Sequence, residues 1–365
     1  MDVFARGQYS NRLDFSRHEL TGALGDSVTV LPVVVAAAAL TDLSLSRLLL
    51  GFAVFQVVWG LHYGLPISVE PMKALAALVI AGSLTTSELA VAGLLAGGIL
   101  LAVGATGTLA RIERYVGQPV IRGVQLAVGL VLLETGVRLS LDGVWYALLA
   151  LAVVGISVAI GQRRASTLAV LAVGIGIGLG QTGLPVPHLP TAALALPSAS
   201  GLSSDSIGAT VAQLAMTVGN AAVATSLLLS DYYDADVSAD DLASSMGAMN
   251  LLAVPLGAMP MCHGSGGVAG KYAFGARTAG ANLILGVLYA LAAVVAVGAV
   301  AAFPLAMLGV VLAVIAVELG RAGLETDSLS LTVGIGVLGV VTNVGVAFVV
   351  GVAAYLLRKR FRDDD

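Results

Sequence analysis

The sequence predicts an all-α polytopic membrane protein of about fourteen spans, arranged as a 7+7 inverted repeat with half-helices in spans 3 and 10. Composition is the first reason. Of 365 residues, 58% are hydrophobic and 11% charged, whereas soluble domains carry about 25% charged residues. Mean hydropathy is +0.97. The second reason is spacing: apolar runs of roughly the 20 residues that cross a bilayer follow one another with short polar breaks. The third is that prolines and glycines interrupt two of these runs at corresponding places in the two halves, a pattern that points to a transporter's binding site.

In chain order, the runs place spans at 20–40, 48–63, 65–81, 88–106, 119–138, 143–160 and 166–181. A polar, proline-bearing stretch from Gln181 to Asp205 follows. The second set lies at 209–229, 241–258, 260–276, 279–300, 303–320, 327–343 and 345–357. The expected repeats are therefore 1–190 and 191–365. Counting from a cytoplasmic N-terminus, Arg6, Arg12, Arg17, Arg111, Arg114, Arg122, Arg163, Arg164, Arg321, Arg358, Lys359, Arg360 and Arg362 fall inside, and Arg47 and Arg138 outside. That asymmetry predicts a multi-pass protein of the cell membrane with both termini cytoplasmic. Residues Met1 to Arg17 carry no apolar core, so no cleavable signal peptide is expected. Repeated fragments match in order: Gly25-Asp26 with Gly219-Asn220, Pro71-Met72-Lys73 with Pro260-Met261-Cys262, and Glu134 with Glu318. An odd number of spans per repeat inverts the second relative to the first.

The third span opens Gly64-Leu65-Pro66-Ile67-Ser68-Val69-Glu70-Pro71-Met72-Lys73. Proline cannot sit in a helix interior without losing a hydrogen bond, but it suits the first turn. An extended segment followed by a half-helix starting near Pro71 is expected, and a second after Met259-Pro260-Met261-Cys262-His263-Gly264-Ser265-Gly266-Gly267. Each half-helix N-terminus offers unpaired N–H groups and an effective charge of roughly +0.5. Two that face each other make an anion site, to which Lys73 adds a positive charge. Ser68, His263 and Ser265 are candidate hydrogen-bond donors, Gly264 and Gly266 let backbone approach a ligand, and Cys262 is small packing at the same place. Asp26 and Asn220 are polar where lipid-facing helix tolerates none, and Gln213 and Thr217 share Asn220's face at helical spacing. Glu134 and Glu318 read as helix-end ion pairs with Arg138 and Arg321.

Gly22 to Asp26 with Leu31-Pro32, the Pro71-Met72-Lys73 motif, and Pro260 to Gly267 followed by Phe274-Gly275-Ala276-Arg277-Thr278 resemble the molybdate transporter family, a branch of the sulfate-permease superfamily. The resemblance implies a core domain from spans 1–4 and 8–11, a gate domain from spans 5–7 and 12–14, and substrate held between spans 3 and 10. It also implies Pro-Val-Gln-Pro-Met-Lys where this chain reads Ser68-Val69-Glu70-Pro71-Met72-Lys73. Glu70 either carries a proton together with the oxyanion, or stays ionised against Lys73 and favours a monoanion or neutral ligand.

The expected function is thus secondary active transport of molybdate or a related tetrahedral oxyanion such as tungstate or sulfate, coupled to protons through Glu70. Rivals are a same-fold transporter of sulfate, bicarbonate or a nucleobase, and a passive anion channel. No paired-histidine motif or nucleophile elbow suggests an enzyme. The lone Cys262 excludes an internal disulfide and a cysteine-based metal cluster. No cofactor or nucleic acid is expected; the partners are the bilayer and a possible second copy of the chain.

Overall fold

The computed structural model describes residues 13–363 apart from 110, 112–115, 184–186, 188–193, 195, 296–299 and 301. Arg6, Arg12 and Arg114 fall outside the described residues, as does the expected repeat boundary. Helices dominate. The first half holds α1 (Arg17–Leu40), α2 (Leu45–Tyr63), α3 (Lys73–Ile80), α4 (Thr86–Thr106), α5 (Gln118–Leu141), α6 (Val144–Ala159) and α7 (Ser166–Thr182). The second holds α8 (Ser204–Tyr233), α9 (Ala239–Ala253), α10 (Ser265–Ala273), α11 (Gly280–Val295), α12 (Leu305–Leu324), α13 (Leu329–Val341) and α14 (Val344–Asp363). Seven described helices are long and apolar enough to cross a membrane. Helices suit that setting because they satisfy their backbone hydrogen bonds internally.

The two interrupted spans are built alike. Gly64 ends α2 in the left-handed region (φ 65°), which glycine adopts without steric cost. The chain then runs extended into β1 (Glu70–Pro71) before α3 begins. Its counterpart β2 (Met261–Cys262) leads through His263 and Gly264 into α10. β1 and β2 pair antiparallel, Glu70 opposite Cys262 and Pro71 opposite Met261. The Met72 N–H extends the pairing to the Pro260 carbonyl at 2.9 Å. The half-helices therefore begin at Lys73 and Ser265, slightly later than the prolines suggested, because residues around each proline are spent on the strand pair.

Packing follows the same order in both halves. α2 lies against α11 and α9 against α4; α1 packs on α10 and α8 on α3. α5 packs against both α12 and α13, and α12 against α6. Small residues permit the close approach expected of helices in lipid. At the α5–α12 crossing, a Cβ added to Gly136 would strike the Gly309 carbonyl oxygen, and one on Gly309 the Gly136 carbonyl oxygen. α8 departs from regular winding, with residues Thr217–Val223 π-helical. Helical spacing of 3.6 therefore does not carry from Gln213 through to Asn220, although Gln213 Nε2 does donate to Thr217 Oγ1 at 3.0 Å.

Candidate functional site

The strand pair brings the N-termini of α3 and α10 to one place, and Glu70 sits between them. Its carboxylate is fully buried. Oε2 lies 2.8 Å from Lys73 Nζ; Oε1 accepts from the Gly267 N–H at 2.6 Å and lies 3.3 Å from Ser68 Oγ. Glu70 therefore caps the first turn of α10 from the opposite half of the chain. The arrangement needs glycine: a Cβ on Gly264 would fall into the Glu70 carboxylate, and one on Gly267 into Ser68 and Asp26. Gly266 has no such crowding.

The other half-helix is capped from α8. Gln213 Oε1 accepts from the Ala74 N–H at 2.9 Å and the Leu75 N–H at 3.4 Å. Both half-helix termini thus receive side-chain oxygens, which satisfies donors that lipid could not.

A cavity of about 480 Å³ opens against this junction. Lys73, Glu70, Cys262, Gly264, Ser265 and Gly266 form one wall. Lys73 keeps 31% of its side chain exposed, enough to meet a ligand while paired with Glu70. Thr29 and Gln213 add polar groups from α1 and α8. The facing wall comes from α5 and α12, with Arg122, Gln125, Leu312, Ile315 and Glu318. Arg122 Nη1 donates to Gln125 Oε1 at 3.0 Å.

Three expected ligands stand behind that wall. Ser68 Oγ donates to Asp26 Oδ1 at 2.5 Å. Asp26 is fully buried, 3.1 Å from Lys271 Nζ, and accepts from Gln56 Nε2 at 2.7 Å. The ring of His263 is held between the Ser68 carbonyl, 2.9 Å from Nδ1, and Ser245 Oγ, 2.8 Å from Nε2. Ser68, Asp26 and His263 do not line the cavity; their polar atoms are spent on holding the β1 segment in place. Ser68 and His263, expected as donors to the ligand, thus stand one layer behind the cavity wall. The side chain of Asn220 lies outside the described residues.

Two further corrections concern charges. Glu318, expected as a helix-end ion pair with Arg321, lies on the cavity wall, whereas Glu134 does pair with Arg138 on the surface. Lys271, which sequence reasoning passed over, is fully buried beside Asp26. The signal was available, since a lysine within an interrupted span is functional by default. Arg122 was read only as a loop charge setting orientation.

The profile of a family described as "Molybdate transporter of MFS superfamily" matches residues 18–132 and 205–319, more than half the chain. The chain belongs to the molybdate transporter family. Within it, the chain is 32% identical to "Molybdate transporter 2" of Arabidopsis thaliana over 93% of its own length and 87% of the relative's. It is 29% identical to "Molybdate transporter 1" of the same plant, over 85% and 80%. The structure is also similar to the transmembrane domain of a cyanobacterium bicarbonate transporter, BicA, with TM-score 0.65 and 18% identity over 96% of this chain and all of that one. The murine Slc26a9 anion transporter in its inward-facing state gives TM-score 0.69 and 14% identity over 96% and 69%. At those identities the likeness establishes a shared fold. This molybdate transporter family member therefore shares the fold of those two structures.

Proposed function

We propose that the chain is a secondary active transporter that carries molybdate, or a related tetrahedral oxyanion such as tungstate or sulfate, across the cell membrane. The observation that carries the reading is Lys73, partly exposed into the cavity where the two half-helix N-termini converge. The anion sits against Lys73, the amides and hydroxyl of Ser265 and Gly266, and Gln213. Arg122 supplies a second cation from the facing wall. Ser68, Asp26 and His263 position the β1 segment.

As it stands, Glu70 neutralises Lys73 and occupies the α10 terminus, where a substrate oxygen would otherwise be favoured. A proton on Glu70 frees the ammonium for the oxyanion, so anion and proton load together. The same ion pair favours a second reading, a same-fold transporter of a monoanion such as bicarbonate.

Fourteen spans in two inverted repeats of seven fit the packing. Exchanging each helix for the one seven places along converts the α2–α11 contact into α9–α4, and α1–α10 into α8–α3. The two equal blocks matched by the family profile support the same division. A core of α1–α4 and α8–α11 then moves against a gate of α5–α7 and α12–α14, with both termini cytoplasmic. The cavity lining reaches Arg122 in α5, Thr167 in α7 and Ala322 in α12, at the helix ends that this topology places inside.

Calorimetry on the purified protein with molybdate, tungstate, sulfate, bicarbonate and uracil tests the substrate. Accumulation against a gradient in proteoliposomes separates a transporter from a channel. Losing a charge-assisted contact costs about 1.5–3 kcal/mol, so Lys73→Ala is expected to weaken molybdate binding by about 10- to 100-fold. Unchanged affinity in that variant would place the site elsewhere.

A further inference from the structure

The Lys271 ammonium has surroundings unlike those of Lys73. It is fully buried, and it is not among the residues that line the cavity. Four oxygens surround it: the Ile67 carbonyl at 2.6 Å, Asn282 Oδ1 at 2.8 Å, Gln56 Oε1 at 2.9 Å and Asp26 Oδ2 at 3.1 Å. An ammonium has three N–H bonds to give, so four acceptors crowd it as they would a spherical ion. The donor set is one carboxylate, two amide carbonyls and one backbone carbonyl, the oxygen chemistry that hard cations take. It carries a single negative charge, which suits a monovalent cation.

The cage is built independently of the lysine. The two N–H bonds of Asn282 Nδ2 are shared among the Gln56 carbonyl and Oε1, both at 2.9 Å, and the Ile67 carbonyl at 2.8 Å. Gln56 Nε2 bonds Asp26 Oδ2 at 2.7 Å and the Val69 carbonyl at 3.2 Å. α1, α2, α11 and the extended segment before β1 thus hold four oxygens in place, and α10 contributes only the charge that fills them.

We infer that the Lys271 ammonium is a tethered cation: it fills a four-oxygen site that would otherwise bind a free monovalent cation, so the transporter requires none there. The consequence reaches the substrate site. Asp26 Oδ1 accepts from Ser68 Oγ, which also reaches Glu70, so the cage charge steadies the segment that presents Glu70 to the cavity. The inference does not depend on which anion is carried.

The test compares the purified wild type with Lys271→Ala in potassium, sodium, methylammonium and choline chlorides at equal ionic strength, reading melting temperature and molybdate binding. Removing one partner of a buried pair is strongly destabilising, so in choline the variant is expected to melt on the order of 10 °C lower. Methylammonium, which carries the same ammonium head as the lysine, and potassium, close to ammonium in size, should recover much of that loss with saturable dependence, while the wild type stays indifferent to the cation. The double variant Lys271→Ala with Asp26→Asn, which removes both charges, should lose the dependence. A single variant indifferent to every cation, or a wild type with the same dependence, would overturn the inference. If the single variant cannot be recovered in potassium or methylammonium while the neutral double variant folds, a free cation does not replace the ammonium and the inference also fails.

Discussion

Under the proposed function, Glu70 sets how the cavity meets an anion. The same carboxylate pairs with Lys73 and closes the first turn of α10, so any oxyanion that approaches Lys73 competes with it. If a proton on Glu70 releases Lys73, wild-type affinity for molybdate falls as pH rises. Glu70→Gln retains an oxygen for the Gly267 N–H and removes the competing charge, so its affinity should be equal or higher and flat with pH. Titrating both proteins with molybdate across pH checks this, and loss of binding in the variant counts against it. Position 70 was legible as the residue that departs from the family motif, and its pairing with Lys73 was one of two outcomes in view. Its bond to Gly267 was not, because it joins residues almost 200 positions apart and depends on strand register.

At the scale of elements, the β1–β2 pair is what turns two interruptions into one site. The prolines made both interrupted spans readable because they come together with glycines and polar residues, a combination that favours a break followed by a first turn, whereas Pro32, without that company, sits inside α1. The strand pairing left no periodic signal, because two residues per strand are too few to alternate. Nor did spacing reveal that Gln213 caps α3, since that bond crosses from α8. Capping bonds are worth about 0.5–2 kcal/mol. Gln213→Leu is therefore expected to lower the melting temperature by a few degrees, and to weaken oxyanion binding because the α3 terminus loses its fixed position. An unchanged melting temperature would mean that the cap contributes nothing. The π-helical winding in α8 also escaped sequence reading, and with it the true facing of residues beyond Thr217. Apolar runs show where a helix lies, not how tightly it is wound.

For the whole molecule, the helical, membrane-embedded character followed from composition, while the charges inside it needed the structure. Lys271, Arg122 and Glu318 were all visible as letters, but whether each faces lipid, a loop or a cavity is set by how the helices pack. Cys262, the sole cysteine, lines the cavity beside Glu70 and offers a native reporter. Saturating molybdate should slow its modification by a small thiol reagent, measured by mass spectrometry; equal rates with and without the anion would argue against occupancy there. β1 comes from before the long polar connection and β2 from after it. Each portion of the chain therefore owns half of every element that defines the site: Glu70 without the turn it caps, or α10 without its cap. A gene divided after Gly183 should yield two fragments that are inert when made singly and that restore molybdate uptake when made together. Inheritance of function would then require both pieces, a genetic complementation written into two short strands.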